Sequence, residues 1–296
     1  MIFGRKSSSR WLAVIAILAV LSGVAGADIV LPGNLLSPQA VTASRDGTLY
    51  VGTRSGIVRI GSAGDIKESL PFGSIKSFVF DDRLQAVWAC VPQTDSAARL
   101  QLIDARSGMV RSDYLLNDNG DCADATVGRD GTLYALDQAN MRVLRIKRGD
   151  AGPSVWLSGD ASAGSGYRWS ALSVDNMGGI FLLSHAQGRL QRVAVRWDGS
   201  AGLPVEICLP RPLRSPVAIK PMAKRKLLVT EASGDLTLIA VMGEAGTLTT
   251  LASTITGPGN IAVVNGTAYV AESQSTQRDA YSLQPFRLVS VPLPSL

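Results

Sequence analysis

The chain has 296 residues, with 29 Lys and Arg against 24 Asp and Glu, one His and three Cys. It carries no phosphate loop, HExxH, CxxC or serine-hydrolase elbow, and its basic clusters Arg142 to Arg148 and Lys220 to Lys226 come without a nucleic-acid module or interleaved stacking aromatics. Nucleic acid is therefore excluded as an expected partner, and the remaining composition fits one soluble, β-rich module behind an export signal.

The first predicted element is that signal. Arg5, Lys6 and Arg10 precede the apolar run WLAVIAILAVLSGVAGA, which ends in Ala25, Gly26 and Ala27. This matches a secretory leader with a small-residue cleavage site, so residues 1–27 are read as removable and Asp28 as the mature start. The other reading, an uncleaved anchor, meets a run at the short end of the roughly 17–25 residues a spanning helix needs. Membrane association is thus expected only through the leader, and the location expected is secreted or periplasmic. The leader holds three basic residues and no acidic ones, which leaves 26 basic against 24 acidic side chains in the mature chain.

From Gln39 onward one pattern recurs six times: an apolar strand, a tight turn and a second apolar strand ending in a small or polar residue. The copies begin at Gln39 (QAVTASRDGTLYVGT), Ser77 (SFVFDDRLQAVWACV), Ala123 (ADATVGRDGTLYALD), Ser170 (SALSVDNMGGIFLLS), Pro216 (PVAIKPMAKRKLLVTE) and Gly259 (GNIAVVNGTAYVAE). Repeats spaced by about 40–50 residues are the signature of propeller blades. Blade five shows four strand-like runs, PVAIK, KLLVTE, DLTLIAV and GTLTTLA, separated by turn residues. The fold predicted is all-β: a six-bladed β-propeller with four antiparallel strands per blade, spanning residues 28–296 as a single domain. The last copy holds one further strand, FRLVSVP, so Asp28 to Leu36 is expected to supply the outer strand of blade six and close the ring.

Cys90 ends a second strand and Cys122 precedes the next first strand, near one face in neighbouring blades. In an oxidising compartment these two are expected to pair, leaving Cys208 over. Trp88, Trp156, Trp169 and Trp197 are expected to pack between blades. Trp169 follows the Gly/Ser-rich stretch 159–169, a candidate flap, and is also a candidate stacking surface for a ligand.

Six blades, DG-type turns and strands such as TLYVG and AYVAES resemble the superfamily of NHL-repeat propellers and the calcium-dependent lactonases related to gluconolactonase and senescence marker protein 30. The resemblance covers essentially the whole mature chain and is specific to fold. In the lactonase branch it implies a divalent cation on the axis, held by a Glu, an Asn and an Asp just before the first strands of different blades, with an acidic residue activating water. Carried onto this chain, those positions are Gln39, Ser77, Ala123, Ser170, Pro216 and Gly259, none of which is a carboxylate or an Asn. A Ca2+ ion wants six to eight oxygens, usually some of them anionic. Asp124 and Asn260 stand one position further on, and related arylesterase-type propellers use adjacent residues this way, so these two are the metal candidates. A streptogramin-lyase-like chemistry would rely on histidines, and only His185 is present.

A second ring ends the second strands: Thr53, Val91, Asp137, Ser184, Glu231 and Glu272. With Gln39, Arg54, Trp169, Ser170 and His185, the residues Asp137, Glu231 and Glu272 form a candidate pocket over the channel mouth; the competing reading is three solvated carboxylates at strand ends. Two functions follow. One is an exported noncatalytic propeller whose mouth face binds a small molecule, a glycan or an envelope protein. The alternative is a metal-dependent lactonase or esterase-like hydrolase with a rearranged site at Asp124 and Asn260.

Overall fold

In the computed structural model the described residues are 27–31, 38–53, 56–62, 64–94, 96–159, 167–175, 177–273 and 285–294. Residues 1–26 of the expected leader, Arg54 and most of the Gly/Ser-rich stretch lie outside them. The described chain forms six four-stranded antiparallel sheets.

Blade one comprises β2 (Ala40–Ala43), β3 (Leu49–Gly52), β4 (Gly56–Ile60) and β5 (Ile66–Pro71). Blade two follows with β6 (Ser77–Asp81), β7 (Ala86–Val91), β8 (Arg99–Asp104) and β9 (Val110–Leu115), and blade three with β10 (Cys122–Val127), β11 (Leu133–Asp137), β12 (Arg142–Ile146) and β13 (Ser154–Ser158). Blade four contains β14 (Ala171–Val174), β15 (Gly179–Ser184), β16 (Arg189–Val195) and β17 (Ala201–Glu206); blade five contains β18 (Pro216–Pro221), β19 (Lys226–Glu231), β20 (Asp235–Met242) and β21 (Ala245–Ala252). Blade six has β22 (Pro258–Val264), β23 (Thr267–Glu272) and β24 (Arg287–Pro292), and its fourth strand is β1 (Ile29–Val30), paired antiparallel to β24.

The N-terminal segment therefore closes the ring as expected. Leu31 is fully buried, and Ile29 packs with it against Val41, Val51, Phe286 and Leu288 between blades six and one. The core is not central. It is divided into six apolar layers, each between two neighbouring blades. This explains the strand patterns: the second strands β7, β11 and β15 are buried on both faces, whereas outer β9 alternates between exposed and half-buried positions.

First strands touch one another cyclically, β22 meeting β2, and they line the axis. Asp124 and Thr126 of β10 bond to the amides of Leu172 and Val174 of β14, two residues apart on both sides, so these strands run parallel. The turns after the first strands and after the third strands thus share one face, called the lower face; the second strands end on the opposite mouth face. In the turn after β22, Asn265 and Gly266 have φ of 47° and 76°, the paired left-handed conformation of a two-residue type I′ hairpin.

Cys90 of β7 and Cys122 of β10 are disulfide-bonded, with Cα atoms 5.2 Å apart, clipping blade two to blade three. Three of the four tryptophans expected between blades are there: Trp88, Trp156 and Trp169 are at most 7% exposed. Trp197 corrects the expectation. It is 99% exposed in the turn after β16, whose Gly199 carbonyl, rather than the indole, meets Trp156 and Arg145 of blade three.

Candidate functional site at the axial channel and its mouth

Three first strands bulge where the channel begins. The ladder slips between Cys122 and Asp124 in blade three, between Pro216 and Ala218 in blade five, and between Pro258 and Ile261 in blade six. A bulge inserts one extra residue and re-aims the side chains after it. Asp124 and Asn260 consequently face the axis, although both stand one residue beyond the aligned positions. Ser77 Oγ donates to Asp124 Oδ1 at 2.6 Å, and Asn260 Nδ2 donates to Ser77 Oγ at 3.3 Å. The structure thus brings the two metal candidates together through the blade-two serine.

Sequence reasoning missed the third member. Lys220 was grouped with a basic surface cluster, but it lines the same channel as Asp124 and Asn260. The available signal was its place near the end of a first strand, where an odd side chain faces the axis. Asp124 also accepts from the Ala125 amide at 2.9 Å and the Leu172 amide at 3.0 Å. Burial raises its carboxyl above the usual range, against the opposing pull of the Ser77 bond, the two amides and the Lys220 charge. Burial likewise lowers the Lys220 ammonium, with Asp124 and Asp82 opposing. No ion pair joins Lys220 to a described carboxylate; the cavity among these groups is about 20 Å3, room for about one water.

This set does not fit a calcium ion. One carboxylate already taking three donors, one amide and one hydroxyl fall far short of six oxygens, and Lys220 adds positive charge where a cation would sit. Among the described residues no three His, Cys, Asp or Glu side chains are grouped to hold a metal.

At the mouth, the three strand-end carboxylates are neither open nor solvated. Asp137 and Glu231 are fully buried and Glu272 is nearly so. Each takes an arginine: Arg142 Nε to Asp137 at 2.8 Å, Arg211 Nη1 and Nη2 to Glu231 at 2.9 and 3.0 Å, and Arg287 Nε to Glu272 at 2.7 Å. Each also accepts a backbone amide from the loop leading into its own blade, from Asp121, Arg214 and Thr256 respectively. The carboxylates staple those loops to the second strands. Arg142 and Arg287 stand directly opposite Asp137 and Glu272 at the start of the third strands. This pairing of an acid with an arginine opening the next strand emerges only from the hairpin register. Burial pushes Glu231 up, but the Arg211 bonds, the Arg214 amide and the Thr237 hydroxyl together hold it below its ordinary value.

Trp169 is also corrected. It is 1% exposed and its Nε1 donates to Gln191 Oε1 at 2.8 Å, so it packs between blades three and four and offers no stacking face. Ser170 Oγ donates to the Leu183 carbonyl at 3.2 Å and accepts from the His185 amide at 2.9 Å. His185 is exposed, its Nδ1 lying 3.1 Å from the Pro216 carbonyl. Gln39 is half-buried beside the channel entrance, its amide bonded to the Gly52 carbonyl. Arg168 and His185 therefore provide open polar surface at the rim, while Thr53 and Ser184 are buried.

No protein-family model matches the sequence, and no curated protein matches it. Solved structures do. A catalytically inactive virginiamycin B lyase from Staphylococcus aureus with quinupristin superposes with a TM-score of 0.62 at 16% identity, over 90% of this chain and 99% of that one. A putative gluconolactonase gives 0.64 at 11% identity, over 90% and 97%. A luciferin-regenerating enzyme gives 0.65 at 11% identity, over 88% and 93%. At these identities the likeness establishes architecture alone: the chain is a six-bladed β-propeller of the type those proteins share.

Proposed function

We propose that this is an exported, noncatalytic propeller that binds a polar ligand, a small molecule, a glycan or an envelope protein, on its mouth face. The observation that supports it best is the axial constriction. A cavity of about 20 Å3 around a carboxylate saturated with donors admits a water and excludes a lactone ring. Binding would then fall to the rim above it, where Ser170, His185, Gln39 and Arg168 lie.

The lyase-like reading is disfavoured by the same geometry. The Staphylococcus aureus lyase is catalytically inactive with one histidine replaced by alanine. Here the single histidine rests against a backbone carbonyl, without a described carboxylate to orient it. The hydrolase alternative is tested by lactone hydrolysis with and without added calcium. The noncatalytic reading expects no turnover above buffer in either condition. Calcium-dependent turnover that Asp124→Ala abolishes would establish the hydrolase instead.

A further inference from the structure

The face opposite the mouth carries a feature that neither the fold nor the proposed ligand site uses. In blades four and five Trp197, Met242 and Met177 are 99%, 73% and 60% exposed at the lower face, Trp197 and Met177 in turns and Met242 at the end of β20. Nothing in the turn holding Trp197 needs an indole: Asp198 caps it by accepting from the Ser200 amide and hydroxyl, and Gly199 supplies the positive φ. An exposed Trp and two exposed Met on one face are surface that water does not favour.

Several exposed basic side chains surround these anchors. Arg196, Lys224, Arg225 and, from blade three, Lys147 are exposed in the adjoining turns, and no described carboxylate forms an ion pair with them. Arg225 Nε donates to Met177 Sδ at 2.9 Å, so cation and thioether are in contact on the surface. Of the acidic residues of these turns, Asp150, Asp175 and Asp198 are engaged with amides of their own turns, and Asp175 also with Arg192, while Glu244 is exposed in the turn that follows Met242. Basic residues outnumber acidic ones across the lower-face turns of blades three to five. The chain also enters on this face: β1 runs from Ala27 toward the mouth, and Ala27 lies beside the lower-face turn residues Gly47 and Asn265. Twenty-six further residues, with Arg5, Lys6, Arg10 and a long apolar run, precede that point.

We infer that the lower face of blades three to five docks on an anionic lipid bilayer, Trp197 and the two methionines entering the headgroup region and the lysines and arginines meeting lipid phosphates. Amphipathic aromatics favour the interface, and basic side chains near it are attracted to anionic lipid within a Debye length. Such docking points the mouth away from the membrane. It rests on different residues from the ligand site, so either can fail without the other.

The test is cosedimentation of the full chain with vesicles of phosphatidylglycerol and phosphatidylcholine, or of phosphatidylcholine alone. The parent is compared with a lower-face variant (Trp197→Ala, Arg196→Glu, Lys224→Glu) and a mouth-face variant of similar charge change (Lys76→Glu, Arg168→Glu). All three carry the leader, and thermal melting checks that each is folded. Expected is binding to the anionic vesicles that the lower-face variant weakens at least tenfold and the mouth-face variant does not. In a Trp11→Phe background, brominated acyl chains should quench the Trp197 emission. Equal binding by the two variants, no preference for anionic vesicles, or unquenched Trp197 would each overturn the inference; the last two would be the result for a face that docks an acidic protein.

Discussion

Glu231 is fully buried and yet held below its ordinary carboxyl value of 4.5, because burial, the largest influence on it, is outweighed by Arg211, the Arg214 amide and Thr237 together. A carboxyl lowered on folding contributes stability above its unfolded value, and that contribution is lost as pH falls through about 4.5 toward the folded value. Glu231→Gln keeps the shape but leaves Arg211 without its anion, at a cost of about 2–4 kcal/mol at neutral pH. In thermal melts from pH 7 to pH 3 the parent should converge on the variant below about pH 4.5; parallel curves would show that the pair contributes no pH-dependent stability. The sequence showed where the ring of acids lies but not that arginines close it. Arg142 and Arg287 become visible as partners only once the hairpin register places them opposite Asp137 and Glu272, and Arg211 comes from a loop that no strand pattern fixes.

At the scale of elements, the strands were legible because a blade imposes period-two patterning and glycine-marked turns, and each repeat restates them. The bulges were not. A one-residue slip in β10, β18 and β22 turns Asp124 and Asn260 toward the axis, and side-chain alternation cannot reveal an insertion that leaves apolar residues on both sides. The Cys90–Cys122 link was expected from a shared face and an oxidising compartment, and the 5.2 Å Cα separation that settles it comes only with the fold. It closes a loop with a sequence separation of 32 residues, which corresponds to about 3–4 kcal/mol by chain entropy. Cys90→Ser should therefore lower the melting temperature by roughly 10 °C in a domain of this size, and reduction of the parent should do the same. A parent insensitive to reductant would mean that blades two and three are held by their apolar layer without help from the bond.

For the molecule as a whole, six equivalent layers make the ring tolerant of variation at its axis. Apolar packing between blades specifies the disc, so the axial residues can change without changing the architecture, and solved propellers at 11–16% identity keep the same shape. In this chain the axis holds Asp124, Ser77 and Asn260 in a closed network with Lys220 beside them, where the lactonase resemblance implied a cation. A metal that binds only the folded state must raise the melting temperature by mass action. Calcium or zinc titrated against the folded protein, followed by thermal melting, should leave the transition where it is, in the parent and in Asp124→Ala alike. A rise in melting temperature with either metal that Asp124→Ala abolishes would contradict the account and restore a metal site to the axis.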